Sequence, residues 1–291
     1  MTDSDLERTA TYLATHALLL LAIGLAGLLL VVAAIAASVR FIVHYRTLLL
    51  DGFRLLVALA DRFEPVRLLR SRTRFLLPGA YVALHLVLGL VLVIAVAAFL
   101  VIAQGVLARS PVVAFDNAFA RAMHAGSSPQ WQAIFSVITF LGTGWVLTLA
   151  TVAIGVALIR RGQRVVAFAW MAAQAGSGIL NWALKGLYER ARPEYADAFL
   201  YSSSFAFPSG HAMGTFVFCG LGCYLLLRDG RSWTSSWVTI AVALSWSVVM
   251  AFSRLYLGVH FVSDVVAGLV AGSGWLVVCV SSLEIIRRRR G

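Results

Sequence analysis

Pro208-Ser-Gly-His-Ala-Met-Gly-Thr-Phe-Val-Phe-Cys-Gly-Leu-Gly-Cys-Tyr-Leu-Leu-Leu227 is an apolar run opened by a polar turn. Crossing a hydrocarbon core of ~30 Å takes about 20 helical residues, so this stretch reads as a transmembrane helix. Runs of the same kind recur at 15–39, 77–104, 131–159, 164–184, 235–253 and 260–284. Across the 291 residues, 60% are hydrophobic and 13% charged; a soluble chain carries roughly 25% charged residues. The expectation is an all-α, polytopic membrane protein.

The net charge of +11 does not imply nucleic acid as a partner, because the basic residues sit between apolar runs rather than on one face. They act as topology signals. Segments 40–74, 160–164, 228–231 and 287–290 together hold 17 arginines, against 7 basic residues (Arg8, Arg109, Arg121, Lys185, Arg190, Arg192 and Arg254) on the other side. The richer side faces the cytoplasm, with the C-terminus, and the N-terminus lies outside.

Residues 1–39 are expected to form a retained transmembrane helix. The acidic Asp3, Asp5 and Glu7 and the length of the apolar stretch both argue against a cleaved signal. Residues 40–76 read as a basic linker, with eight arginines interleaved among leucines and Phe53. Such a segment suits anionic lipid headgroups as an amphipathic interfacial helix, or else a solvated linker. Residues 77–291 then form a six-helix catalytic domain. Cys219, Cys223 and Cys279 lie within apolar runs and read as packing residues rather than metal ligands.

Three clusters carry chemistry, all on the side with few arginines. Lys185 and Arg192-Pro193 follow the run at 164–184; Pro208-Ser209-Gly210-His211 open the next; Ser253-Arg254, His260 and Asp264 bridge the last two. Lys185 is the only lysine in the chain. Arg192 and Arg254 can make bidentate contacts to phosphoryl oxygens, although either alone also fits a snorkelling helix-end residue. Arg190 has that same reading and no pattern to lift it. Ser209 and Gly210 leave backbone N–H groups at a helix start, where the dipole favours an anion. His260 and Asp264 are four apart, hence on one helical face. The carboxylate can take the proton on Nδ1 and leave the Nε2 lone pair for substrate, though a structural pair has the same spacing. Jointly, two imidazoles and three cations suit phosphoryl transfer, one histidine attacking and the other protonating the leaving oxygen, with no metal or other cofactor required. His16, His44, His85 and His124 have no such partners in sequence and receive no role.

The clusters read Lys-x6-Arg-Pro, Pro-Ser-Gly-His and Ser-Arg-x5-His-x3-Asp, with eleven specified positions in order. This pattern resembles the signature of the PAP2 (type 2 phosphatidic acid phosphatase) superfamily, over about residues 77 to 284. The resemblance implies an all-helical, metal-independent hydrolase of lipid phosphates or pyrophosphates. Lys185, Arg192, Arg254, Ser209 and Gly210 would bind phosphate. His260 would form a phosphohistidine oriented by Asp264, and His211 would be the general acid. Undecaprenyl pyrophosphate, phosphatidylglycerol phosphate and phosphatidic acid are the substrates it suggests. Phosphotransferases and vanadate-dependent haloperoxidases share the motifs; lipid-flanked helices favour lipid substrates. A transporter would spread its charges through the bilayer depth, whereas these gather at one face. The loop 194–207, with Tyr195, Phe199, Tyr201, Phe205 and Phe207, reads as an aromatic rim at headgroup level or an interfacial belt.

Overall fold

A computed structural model describes residues 3–45, 80–194, 204–228 and 232–288, and every structured element among them is helical. The linker expected at 40–76 lies mostly outside the described residues, as do Tyr195, Phe199 and Tyr201. In chain order the helices are α1 (Asp3–Thr15), α2 (Ala17–His44), α3 (Ala80–Leu107), α4 (Pro111–Gly126), α5 (Pro129–Leu141), α6 (Gly144–Arg160), α7 (Arg164–Tyr188), α8 (Gly210–Arg228), α9 (Trp233–Tyr256) and α10 (Val262–Arg288).

Five of these helices are long and apolar enough to cross a membrane: α2, α3, α8, α9 and α10. The expected single run at 131–159 is instead two helices, α5 and α6, bent by 44° and forming a sixth crossing if taken together. α7 has the length of a span but a polar stripe at Gln174, Ser177, Asn181 and Lys185, of which Asn181 Nδ2 donates to the Pro208 carbonyl just before α8 (3.3 Å).

Two short helices depart from the sequence reading: α1 was expected as part of one helix over 1–39, and no helix was expected where α4 lies. α1 is amphipathic and packs on α4, with Glu7 and Arg121 paired at 3.2 Å on their exposed faces. α4 and α5 each begin with Ser-Pro. The serine side chain accepts from Val112 N or Trp131 N, and the proline fills the first turn, where its missing N–H costs nothing.

α8 is the centre of the bundle: Ala212, Met213, Val217 and Leu221 are wholly buried among α7, α9 and α10. In lipid, helices gain little from the hydrophobic effect and associate through close packing and interhelical hydrogen bonds. A methyl at Gly268 would sit 2.6 Å from the Ser209 carbonyl oxygen, so only glycine lets α10 approach α8 there. The same junction is held by Ser209 N donating to the Asp264 carbonyl (2.9 Å). Lower in the bundle, Trp275 Nε1 donates to the Ala173 carbonyl (2.8 Å), tying α10 to α7.

This packing sets one end apart. The C-termini of α7 and α9 meet the N-termini of α8 and α10, while Arg160, Arg164 and Arg228 lie at the opposite ends of α6, α7 and α8. α2 starts at the first end, where Ala14 and Ala17 pack with Met123, Phe135, Tyr256 and Val259.

Candidate active site

The last turn of α7 carries Lys185, and the helix stops at Glu189, whose left-handed backbone (φ 42°) turns the chain sharply. That turn brings Arg190 and Arg192 back toward the N-terminus of α10. Ala206 N donates to the Arg190 carbonyl (2.8 Å), and the Lys185 ammonium donates to the Phe205 carbonyl. The residues expected to act together therefore sit at one end of the bundle.

His260 lies in the short turn between α9 and α10, 3% exposed. Its Nδ1 donates to Asp264 Oδ2 at 3.3 Å, and its Nε2 accepts from Arg192 Nη1 at 3.2 Å. The carboxylate thus selects the tautomer whose Nε2 lone pair points toward the cations. Burial, and then the charges of Arg254, Arg192 and Lys185, hold His260 well below the ordinary imidazole range. Arg192 is anchored further by donating through Nε to the Ser204 carbonyl (2.9 Å) and through Nη1 to the Val259 carbonyl (2.8 Å).

His211 stands in the first turn of α8, within electrostatic reach of Arg254, His260, Arg192 and Lys185. Arg254, 2% exposed, donates through Nη1 to Thr139 Oγ1. Among the described residues, Ser209 Oγ, His211 Nε2 and Arg254 Nε are buried polar atoms without a hydrogen-bond partner. Such atoms cost free energy unless a ligand satisfies them. Gly210 has a packing reason besides the anion approach expected of it, since a methyl there would lie 2.8 Å from Asn181 Oδ1. Gly142 leaves room chiefly for Met250, whose Sδ would be 2.5 Å from an added methyl, and then for His211, whose Cδ2 would be 3.1 Å away.

Sequence reasoning passed over two residues. Arg190, read there as a helix-end residue, is largely covered and stands beside Asp264, its side chain 10% exposed. Its Nη1 donates to Asp264 Oδ1 and to Ser263 Oγ (both 2.6 Å), its Nη2 donates to Asp116 Oδ2 (2.8 Å), and its guanidinium lies 4.2 Å from the centre of the Phe261 ring. Asp116, 1% exposed on α4, also accepts from Ser263 N (3.1 Å) and from the Ser263 hydroxyl. The available signal for Asp116 was a lone carboxylate inside the apolar stretch Pro111-Val-Val-Ala-Phe-Asp-Asn-Ala-Phe119. Phe207 departs from the aromatic rim expected of its loop, because it is wholly buried against Phe99 and Tyr188, while Phe205 is exposed.

An apolar cleft of about 510 Å³ runs from Gly210 and His211 down between α6 and α7, past Leu147 and Met171. Val152, Ala175 and Gly178 along it are exposed, so it opens sideways from the bundle. The site thus joins a cationic, imidazole-lined head to an apolar channel with side access, an arrangement for an amphiphile with an anionic head.

Known proteins are similar to this chain in sequence and fold. The profile of the PAP2 superfamily matches residues 164–288, which span α7 to α10 and every motif residue but not Asp116. Phosphatidylglycerophosphatase B of Bacillus subtilis (strain 168) is 30% identical over 176 residues, covering 60% of this chain and 86% of its own length. The putative undecaprenyl-diphosphatase YbjG of Escherichia coli (strain K12) is 32% identical over 133 residues, 44% of this chain and 61% of its own. The crystal structure of a transmembrane PAP2 type phosphatidylglycerolphosphate phosphatase from Bacillus subtilis superimposes with a TM-score of 0.62 at 28% identity, over 67% of this chain and 96% of that one. The chain belongs to the PAP2 superfamily and is a multi-pass membrane phosphatase.

Proposed function

We propose that the protein hydrolyses a lipid phosphate or pyrophosphate monoester at the extracytoplasmic membrane face, without metal, through a phosphohistidine. The observation that carries this is the orientation of His260, with Nδ1 engaged by Asp264 and Nε2 directed at the Arg192 guanidinium. A phosphoryl group taking up the donors of Arg192 frees that lone pair for attack.

In the first step His260 Nε2 bonds to phosphorus and the ester P–O bond breaks. The leaving lipid oxygen takes a proton from His211, and Asp264 stabilises the imidazolium character of the phosphohistidine. In the second, His211 removes a proton from water, which attacks phosphorus; the P–N bond breaks and inorganic phosphate leaves. Lys185, Arg192 and Arg254, with Ser209 and the backbone at Gly210, hold the equatorial oxygens, where charge builds in the transition state. The lipid tail lies in the cleft between α6 and α7. Relatives named for phosphatidylglycerophosphatase and undecaprenyl-diphosphatase activities support diacylglycerol phosphates and polyprenyl diphosphates as substrates. The arginine-rich ends of the helices support a cytoplasmic placement for the opposite face and for the 40–76 linker, which contacts anionic headgroups.

Phosphate release from a panel of lipid phosphates by purified protein in EDTA, beside His260→Ala, tests the proposal. Release that persists in EDTA and vanishes in the variant is expected. Equal release by the variant removes the nucleophile, and loss in EDTA with recovery on adding a divalent ion replaces the mechanism. Transfer of the phosphoryl group to an added alcohol in preference to water would make the enzyme a phosphotransferase.

A further inference from the structure

We infer that Asp116 and Arg190 are positioning residues that control the charge His260 feels through Asp264. The inference rests on the nucleophilic role proposed for His260. Asp264 is shared: Oδ1 accepts from Arg190 (2.6 Å), while Oδ2 accepts from Phe261 N (3.0 Å) and faces His260 Nδ1 (3.3 Å). A lone guanidinium in that place would cancel most of the carboxylate's charge and leave His260 a weaker base. Asp116 engages the other end of the same guanidinium at 2.8 Å. Carboxylate, guanidinium and carboxylate then carry a net negative charge, which stabilises an imidazolium, and hence the phosphohistidine. Ser263, bonded to both Asp116 and Arg190, fixes the register of the chain at the start of α10. Only a planar fork with several donors can bridge these groups; an ammonium cannot.

The groups that face His260 are Lys185 from α7, Arg192 after it, His211 from α8, Arg254 from α9 and Asp264 from α10, with Arg190 behind Asp264 and Asp116 from α4 behind Arg190. The cations outnumber the carboxylates, so removing one carboxylate has a definite sign. Asp116→Asn makes the surroundings more positive, so the acid limb of the kcat/KM profile moves to lower pH. Its kcat falls about tenfold to a hundredfold, the usual range for a group that orients another, with little change in KM. Arg190→Gln moves the limb the other way, to higher pH. The double variant Asp116→Asn/Arg190→Gln conserves net charge, returns the limb toward wild type, and is more active than Asp116→Asn alone.

The experiment is the pH dependence of phosphate release for wild type, both single variants and the double variant, each verified as folded by its melting temperature in detergent. Opposite limb shifts and recovery in the double variant are the expected result. Limbs that do not move, or a double variant no better than Asp116→Asn, overturn the inference and reduce the network to a structural clamp. Should Asp116→Asn not fold, Arg190→Gln alone decides through the direction of its shift. His260→Ala is assayed in parallel. An inactive His260→Ala beside unshifted Asp116 and Arg190 variants sinks only the charge-relay inference, whereas an active His260→Ala sinks the nucleophile and the inference together.

Discussion

At the residue scale, the proposed chemistry asks opposite things of two imidazoles set among the same cations, Lys185, Arg192 and Arg254. His260 must be neutral to attack. Burial and the cations around it hold it below the ordinary imidazole range. Protonation removes its lone pair, so kcat/KM is expected to rise with pH along an acid limb lying below about pH 6.5, the unperturbed imidazole value. His211 must carry a proton when the leaving oxygen departs, and a bound phosphate supplies the negative charge that favours this. Activity then falls again at high pH as His211 loses that proton. Phosphate release measured from about pH 4 to about pH 9 tests this bell shape; a flat profile would exclude histidine acid–base chemistry. Lys185, Arg192, His211, Arg254, His260 and Asp264 were all legible in the sequence, because motif spacing and their placement at helix ends gather them on one side. Asp116 and Arg190 were not. Their contact spans 74 positions and joins α4 to the turn after α7, a pairing that neither local periodicity nor residue type reveals.

At the element scale, most spans were legible because twenty apolar residues in lipid have few other conformations. α1 and α4 were missed for a related reason: each is short and amphipathic, and each hides its apolar face on the other instead of on lipid. The Ser-Pro pairs at 110–111 and 128–129 were readable helix starts, and the second also marks where the bent α5–α6 pair begins. The cleft below His211 lies between α6 and α7, and further along a methyl at Gly155 would lie 3.0 Å from Met171 Sδ, so the two helices approach closely there. Gly178 lines that cleft, and a methyl added there meets no atom within 4 Å. Gly178→Phe therefore fits without strain on neighbouring helices and fills the channel. It is expected to raise KM for a long-chain lipid phosphate about tenfold or more, since a buried phenyl ring displaces several methylenes of tail at about 0.8 kcal/mol each. A short water-soluble phosphate ester should be hydrolysed at the wild-type rate. Equal effects on both substrates would show that the tail lies elsewhere.

At the scale of the whole molecule, orientation is a statement about all helices at once, because α7 to α10 alternate in direction and cannot be inverted singly. Arg160, Arg161, Arg164 and Arg228 gather at the end away from His260, and the site end holds few cations beyond those of the site itself. Basic loops resist translocation, and this asymmetry is the basis for the outward catalytic end proposed above. An outward site also suits the substrate: a lipid phosphate in the outer leaflet reaches the cleft from the side without crossing the bilayer. Single cysteines report the arrangement. In a background where Cys219, Cys223 and Cys279 are serine or alanine, Ala125→Cys at the end of α4 and Thr234→Cys at the start of α9 place exposed thiols at opposite ends. A membrane-impermeant maleimide applied to intact cells with a permeable outer layer is expected to label Ala125→Cys at once and Thr234→Cys only after the membrane is opened. Labelling in the reverse order would put His260 on the cytoplasmic side. The substrate would then come from the inner leaflet, and the arginine asymmetry would need another cause, with anionic lipid contacts the first to examine.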